Sequence, residues 1–211
     1  MSEIKQFWKL FVELKESIED PPDEEAMDRL LTSLRRIDPR LYYHLGCRDD
    51  CTDIIISAEG NPDLMTILKN IEEEFIPQDY WNVVTCYDAM LLFGERDMNI
   101  YPDDTNGNVL YNMALEGDRF WIPRDIDFSF IFPDKKSAQA FMKDVRKKDL
   151  KIELSDYEDD DEFSQDVTIS KEMFATHKTI TAVEKEWGKI AEKYDGRNDG
   201  WGCFNQKESK S

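Results

Sequence analysis

The start of the chain alternates apolar and polar residues at the spacing of two amphipathic helices. The first predicted helix has Ser2 as its cap and is stopped by Pro21 and Pro22. The second ends at Pro39. Their apolar positions are Ile4, Phe7, Trp8, Phe11, Val12 and Ile18, then Met27, Leu30, Leu31, Leu34 and Ile37. Each stripe is wide enough to predict packing against another layer of the same domain.

After residue 40 the apolar spacing changes to that of strands. Residues 41–45 and 53–57 predict two strands joined by a polar turn at 47–52. Asn61 and Pro62 predict the start of a helix over 62–75, followed by strands at 80–87 and 90–93. Asn106-Gly107 predicts a tight hairpin turn between strands at 100–101 and 109–115, because both residues tolerate a positive φ.

The second half of the chain has a regular order of elements. Strands are predicted at 128–132, 150–154, 163–169 and 196–204, with helices beginning at Asp134 and covering 180–194. The order βαββαβ is that of the ferredoxin-like arrangement. We therefore predict an α+β protein of two small domains, an N-terminal one at 1–122 and a ferredoxin-like one at 123–205, with a polar, frayed tail at 206–211.

The charge of the chain argues against phosphate-rich partners. Its 46 acidic and 27 basic side chains give a net charge of −19. Nucleic-acid affinity depends on Lys and Arg displacing counterions, and an acidic chain also repels anionic membranes. The excess of acidic side chains either keeps the protein soluble or forms a surface that binds a basic protein partner. We predict no direct nucleic-acid or membrane contact.

The N-terminus and the cysteines indicate a reducing compartment. Met1-Ser2-Glu3-Ile4-Lys5 does not have a signal-peptide pattern, and no apolar run is long enough to span a bilayer. The four cysteines, Cys47, Cys51, Cys86 and Cys203, are too scattered for a disulfide framework. We therefore expect a cytoplasmic protein with free thiols.

The end of the chain resembles a known family. The run Ile190-Ala191-Glu192-Lys193-Tyr194-Asp195, followed by Asp199-Gly200-Trp201-Gly202, is similar to the RraB-like domain, named for regulator of RNase E activity B. Asn198 stands where members of that family usually have tyrosine. The segments 55–61 and 81–84 resemble an uncharacterised bacterial domain found fused ahead of RraB-like domains. The resemblance implies a regulator that binds an endoribonuclease or its scaffold and performs no chemistry of its own.

Two features are candidate partner-binding sites. The acidic loop contains Asp156, Glu158, Asp159, Asp160, Asp161 and Glu162. It is a solvated loop, a contact for a basic partner segment, or a weak calcium site, although it lacks the glycine-spaced EF-hand pattern. Trp201, between Gly200 and Gly202, is either buried against the sheet or exposed as an aromatic anchor.

The sequence contains no recognisable catalytic or metal-binding constellation. His44, Cys47 and Cys51 do not have the spacing of a zinc finger, and His177 is not near a nucleophile in sequence. We therefore predict neither a cofactor nor an enzyme activity. The leading hypothesis is an acidic regulator of an endoribonuclease. The alternatives are an immunity or antitoxin-like protein that neutralises a basic effector and, less favoured, an enzyme of unknown type.

Overall fold

The computed structural model describes residues 2–19, 21–48, 51–145, 150–158 and 162–206. Their contacts divide the chain into two compact units, Met1–Ile100 and Tyr101–Ser211. Helices and sheets occur in both units, so the α+β class is confirmed.

The N-terminal unit packs helices on a three-stranded sheet. Its elements are α1 (Glu3–Leu14), α2 (Glu24–Ile37), β1 (Tyr42–Arg48), β2 (Cys51–Ser57), α3 (Met65–Glu73), β3 (Trp81–Cys86) and the single turn α4 (Ala89–Leu92). Strand β2 is central, antiparallel to β1 and parallel to β3. The aromatic ring of Trp8 is buried between helices, and its Nε1 donates to the carbonyl of Ile71 at 2.9 Å. The apolar stripe predicted for α1 is therefore core.

The C-terminal unit is a four-stranded antiparallel sheet with helices on one face. Its elements are α5 (Thr105–Leu115), β4 (Arg124–Phe132), α6 (Lys135–Val145), β5 (Lys151–Asp156), β6 (Gln165–Met173), α7 (His177–Ala191) and β7 (Arg197–Gly202). The strands lie in the order β5-β6-β4-β7. Three phenylalanines of β4, Phe128, Phe130 and Phe132, are fully buried beneath α6 and α7, where they contact Phe141 and Trp187.

Residues 100–115 do not form the predicted hairpin. Asp104 caps α5, since its carboxylate accepts from the backbone N–H of Gly107 at 2.8 Å. Gly107 is required because a Cβ at this position would overlap the carbonyl oxygen of Pro102, and not because the turn needs a positive φ. The predicted strand at 90–93 is also wrong. Asp88 accepts from the N–H of Met90 at 3.0 Å and begins α4 instead.

The boundary between the two units lies earlier in the chain than the predicted boundary near residue 122. Helix α5 belongs to the second unit, because Asn106 donates to Glu184 of α7 at 2.5 Å. At the other end, Gln206 is held in place: its N–H donates to Asp118 at 2.9 Å, and its carbonyl accepts from the N–H of Arg119 at 2.9 Å. The rest of the predicted tail, residues 207–211, lies outside the described residues. Helix α1 ends at Leu14, before the two prolines, and strands β1 and β2 extend into the segment 47–52 that was predicted as a turn.

Candidate protein-binding face

The face of the C-terminal sheet opposite α6 and α7 is polar. Side chains alternate along each strand, so the positions between the buried phenylalanines of β4 point to this open side. Cross-strand pairing sets the neighbouring positions of β5 and β6 on the same side. We define the acidic face by Asp125, Asp127, Ser129, Lys151, Glu153, Asp166, Thr168, Ser170 and Glu172.

Carboxylates predominate on the acidic face. Asp125, Asp127, Glu153 and Glu172 are all exposed. Lys151 lies 2.6 Å from Asp125, and the hydrogen bond to that carboxylate raises the pKa of the lysine. Because the pair is exposed, it contributes little stability, and it balances one carboxylate while Asp127, Glu153 and Glu172 keep their charges uncompensated by Lys151. The face therefore has a negative potential that favours a basic partner.

The centre of the acidic face is held by hydrogen bonds between side chains. Ser129 donates to Oδ1 of Asp166, and Thr168 donates to Oδ2 of the same carboxylate at 2.8 Å. These groups lie on adjacent strands, β4 and β6. The carboxylate is thus oriented before any partner binds, so less side-chain entropy is lost on binding.

The ends of the acidic loop fold back toward strand β7 at one end of the face. Tyr157 donates from its hydroxyl to Asp199 at 3.3 Å, and the guanidinium of Arg197 lies 4.3 Å from the ring centre of Phe163. Ile131 is fully buried although its neighbours along β4 on this side are polar. The structure therefore brings the start of the Asp-Gly-Trp-Gly motif next to the acidic loop.

Three acids of the predicted loop site have described positions. Glu158 and Glu162 are exposed, and the carboxylate of Asp156 accepts from Gln165 at 2.8 Å. Asp159, Asp160 and Asp161 lie outside the described residues. The described acids lie at the end of the sheet where β5 leads to β6, and Asp156 pairs there with Gln165 in the helix-facing row of Phe132.

Trp201 is oriented by hydrogen bonds within its own unit. Its Nε1 donates to Oδ1 of Asn106 at 2.7 Å, and it pairs with Phe128 on the helix-covered side of the sheet. Asn106 also donates to Glu184, whose other carboxylate oxygen accepts from Asn198 at 2.7 Å. This network gives the indole a structural role, while a role in partner binding stays a prediction.

The glycines of the motif shape strand β7. The register of β4 and β7 shifts between Ser129 and Phe130, so that Asp199 is an extra residue between two paired ones. Gly200, next to it, has φ +116°, a conformation that L side chains rarely adopt. Sequence reasoning missed Gly196, where a Cβ would overlap the ring of Phe132. Gly200 and Gly202 are easier to notice in the sequence because they flank Trp201.

The histidines have carboxylate partners rather than nucleophiles. His44 lies 3.3 Å from Glu59, and His177 lies 2.7 Å from Asp104. The hydrogen bond from His44 lowers the pKa of Glu59. Burial raises the pKa of Cys86 to about 12, which disfavours the reactive thiolate. Within the described ranges, no three His, Cys, Asp or Glu side chains come together as a metal site would require.

Sequence comparison adds a family match to this geometry. Residues 103–203 match the model of the family described as Regulator of ribonuclease activity B. The match begins just before α5 and ends just after β7, so it covers the second unit rather than the first. No curated protein matches the chain. Among the residues with described positions, no helix has both the length and the apolar character needed to cross a bilayer.

Proposed function

We propose, from the match of residues 103–203 to the RraB family model, that the chain regulates a ribonuclease by binding it through the acidic face. The observation that carries the proposal is the predominance of exposed carboxylates on an uncovered side of the sheet, at Asp125, Asp127, Glu153 and Glu172. The family match suggests a ribonuclease as the partner, and the acidic face is the surface that we propose for binding it.

The proposed mechanism is electrostatic competition. A ribonuclease must bind RNA phosphates through basic segments, and such a segment is attracted by carboxylates. When the acidic face covers the segment, RNA loses that contact and cleavage slows. The charges of Asp156, Glu158, Asp159, Asp160, Asp161 and Glu162 are proposed to extend the contact.

The proposal requires no chemistry by this chain. Its role is to occupy a surface of the enzyme. Because its surface is acidic, we propose that it contacts the protein partner and not RNA. A regulator of RNA cleavage acts where RNA is processed, so we place it in the cytoplasm.

The strand order supports a finer fold assignment for the RraB domain. The order β5-β6-β4-β7, with every neighbour antiparallel, agrees with the βαββαβ connectivity of the ferredoxin-like arrangement. We propose that arrangement for the domain. It leaves one side of the sheet free for a partner, since both α6 and α7 pack on the other side.

The test is binding of the host endoribonuclease at low and high salt. The variant Asp125→Asn/Asp127→Asn/Glu153→Gln/Glu172→Gln should weaken binding at least tenfold at low salt and flatten its salt dependence. A matched control, Glu13→Gln/Glu16→Gln/Asp28→Asn/Asp79→Asn, removes the same charges from exposed positions of the first unit. Equal losses in both variants would mean that net charge alone acts, and binding that is insensitive to salt would refute the mechanism.

A further inference from the structure

Strand β5 is an outer strand of the sheet with regular backbone geometry. It pairs with β6 at six consecutive positions, from Lys151–Ser170 to Asp156–Gln165, without a shift in register. Its other side faces no strand in the described parts of the chain. An outer strand of this kind presents unpaired backbone N–H and C=O groups that another strand can join.

The helix-facing side of β5 is incompletely covered. Val167 and Ile169 of the neighbouring strand are fully buried, whereas Ile152 and Leu154 at the edge are only half-buried. Beside them lies a groove of about 250 Å³ between α6 and β5. It is lined by Gln139, Met142, Lys143, Leu150 and Ile152. The groove is large enough for one or two aliphatic side chains.

The opposite side of β5 carries polar and charged side chains. Glu153 is exposed there, in the same row as Thr168 and Ser129 of the acidic face. Lys151, the cation on this side of β5, is already held by Asp125. A strand added outside β5 would direct alternate side chains into the groove beside α6, where Met142, Leu150 and Ile152 offer apolar contacts, and over the carboxylates.

We propose that the partner segment binds as a fifth strand along the outer edge of β5, and that apolar and basic residues alternate in it. Backbone hydrogen bonds to β5 supply affinity, the groove beside α6 selects aliphatic side chains, and Glu153 with the rest of the acidic face selects Arg or Lys. This inference rests on the proposed function for the identity of the partner, but the site itself is defined by β5 and α6.

The first experiment uses the full chain and a synthetic peptide of eight residues in which Arg and Val alternate. A peptide of equal composition, with the four Arg and the four Val in separate blocks, is the control. Hydrogen exchange followed by NMR should show slower exchange of β5 amides with the alternating peptide only. Equal binding of the two peptides, or unchanged exchange in β5, would overturn the proposal.

N-methylated peptides separate backbone pairing from simple charge attraction. In an extended strand, N–H groups of alternate residues point to the same side, so only one set can pair with β5. Methylating the amides of Val alone, or of Arg alone, should leave one peptide near the original affinity and weaken the other at least tenfold. If both bind equally well, the segment is not an added strand.

The groove is tested by Gln139→Trp, with Gln139→Ala as its matched control. Gln139 is exposed on α6, so the larger side chain fills the groove without disturbing the core. Gln139→Trp should weaken the alternating peptide at least tenfold and Gln139→Ala should not. A wild-type chain that dimerises with protection of β5 would show that a second copy occupies this edge, contrary to the proposal.

Repeating the exchange measurement with the ribonuclease distinguishes failure of the two proposals. If the enzyme binds, loses affinity in the acidic-face variant and leaves β5 unprotected, strand addition is wrong while regulation by the face stands. If the enzyme does not bind but the alternating peptide protects β5, the proposed partner is wrong and the edge site stands.

Discussion

The indole Nε1 of Trp201 donates to Oδ1 of Asn106 at 2.7 Å, which joins the last strand to the first helix of the C-terminal unit. The two residues are far apart in sequence, and the bond is partly buried. It places the tryptophan of the motif in a network with Glu184 and Asn198 rather than alone at the surface.

Replacing Trp201 by Phe tests this network. Phe keeps an aromatic ring but removes the N–H donor, so the free energy of unfolding should fall by about 1 kcal/mol, the usual cost of such a bond. Urea denaturation of the variant, of Asn106→Ala and of the double variant would measure the coupling. Ribonuclease affinity that falls while stability is unchanged would instead favour an anchor role for Trp201.

Gly107 and Gly188 form a matched pair of helical glycines with opposite expected effects. Gly107→Ala places a Cβ against the backbone of Pro102 and should destabilise the fold by about 3 kcal/mol or more, as backbone overpacking does. Gly188→Ala meets no atom within 4 Å and should stabilise helix α7 by about 0.5–1 kcal/mol. Thermal unfolding of both variants measures the difference, and a neutral Gly107→Ala would contradict the close approach.

The buried pair Arg124–Asp118 should matter far more than the exposed pair Lys151–Asp125. Both have an N–O distance of 2.6 Å, but the side chains of the first are at most 3% exposed. Asp118→Ala leaves the Arg124 guanidinium buried without its counter-charge, which typically costs about 3–5 kcal/mol. Lys151→Ala should cost less than about 1 kcal/mol. Chemical denaturation measures both, and similar losses would show that burial does not govern the first pair.

The cap at the start of α5 predicts a dependence on pH. The backbone N–H of Gly107, together with His177, lowers the pKa of the Asp104 carboxyl. Since the folded pKa lies below the unfolded one, the ionised carboxylate stabilises the fold above the unfolded pKa, and that contribution is lost as the pH falls through the folded pKa.

The variant Asp104→Asn measures that contribution. It should be less stable than the wild type at neutral pH, and the difference should shrink at an acidic pH below the folded pKa, where the carboxyl is protonated. Thermal unfolding at both pH values is the measurement. A difference of the same size at both would mean that the side chain acts by shape or hydrogen bonding and not by charge.

Periodicity predicted the regular elements because their burial follows the period of the backbone. The buried alternation of β4 and the stripe of α7 at Ile180, Val183 and Trp187 are direct consequences of apolar burial. The prediction for residues 100–115 was wrong because an Asn-Gly pair can serve two structural roles. In a hairpin the pair provides residues that tolerate a positive φ, whereas here Gly107 permits close packing and Asp104 caps a helix.

The acidic face could not be located from the sequence because its members come from three strands that are distant in the chain. Asp125, Glu153 and Glu172 share a surface only through the cross-strand registers. The sequence instead drew attention to the contiguous acids of the loop. Of the predicted motif, Asp199 approaches the face through Tyr157, while Trp201 points to the helix side.

The extra residue at Asp199 has a consequence for self-association. An open-ended filament of stacked sheets needs two usable edges on every subunit, one to receive a neighbour and one to offer to the next. The bulge and the positive φ of Gly200 interrupt the regular hydrogen bonding of β7, so that of the two outer strands described in this sheet β5 keeps a regular edge and β7 does not. Such a sheet can bind one extended segment along β5 but offers no regular edge along β7 for the next one, which limits growth into fibres.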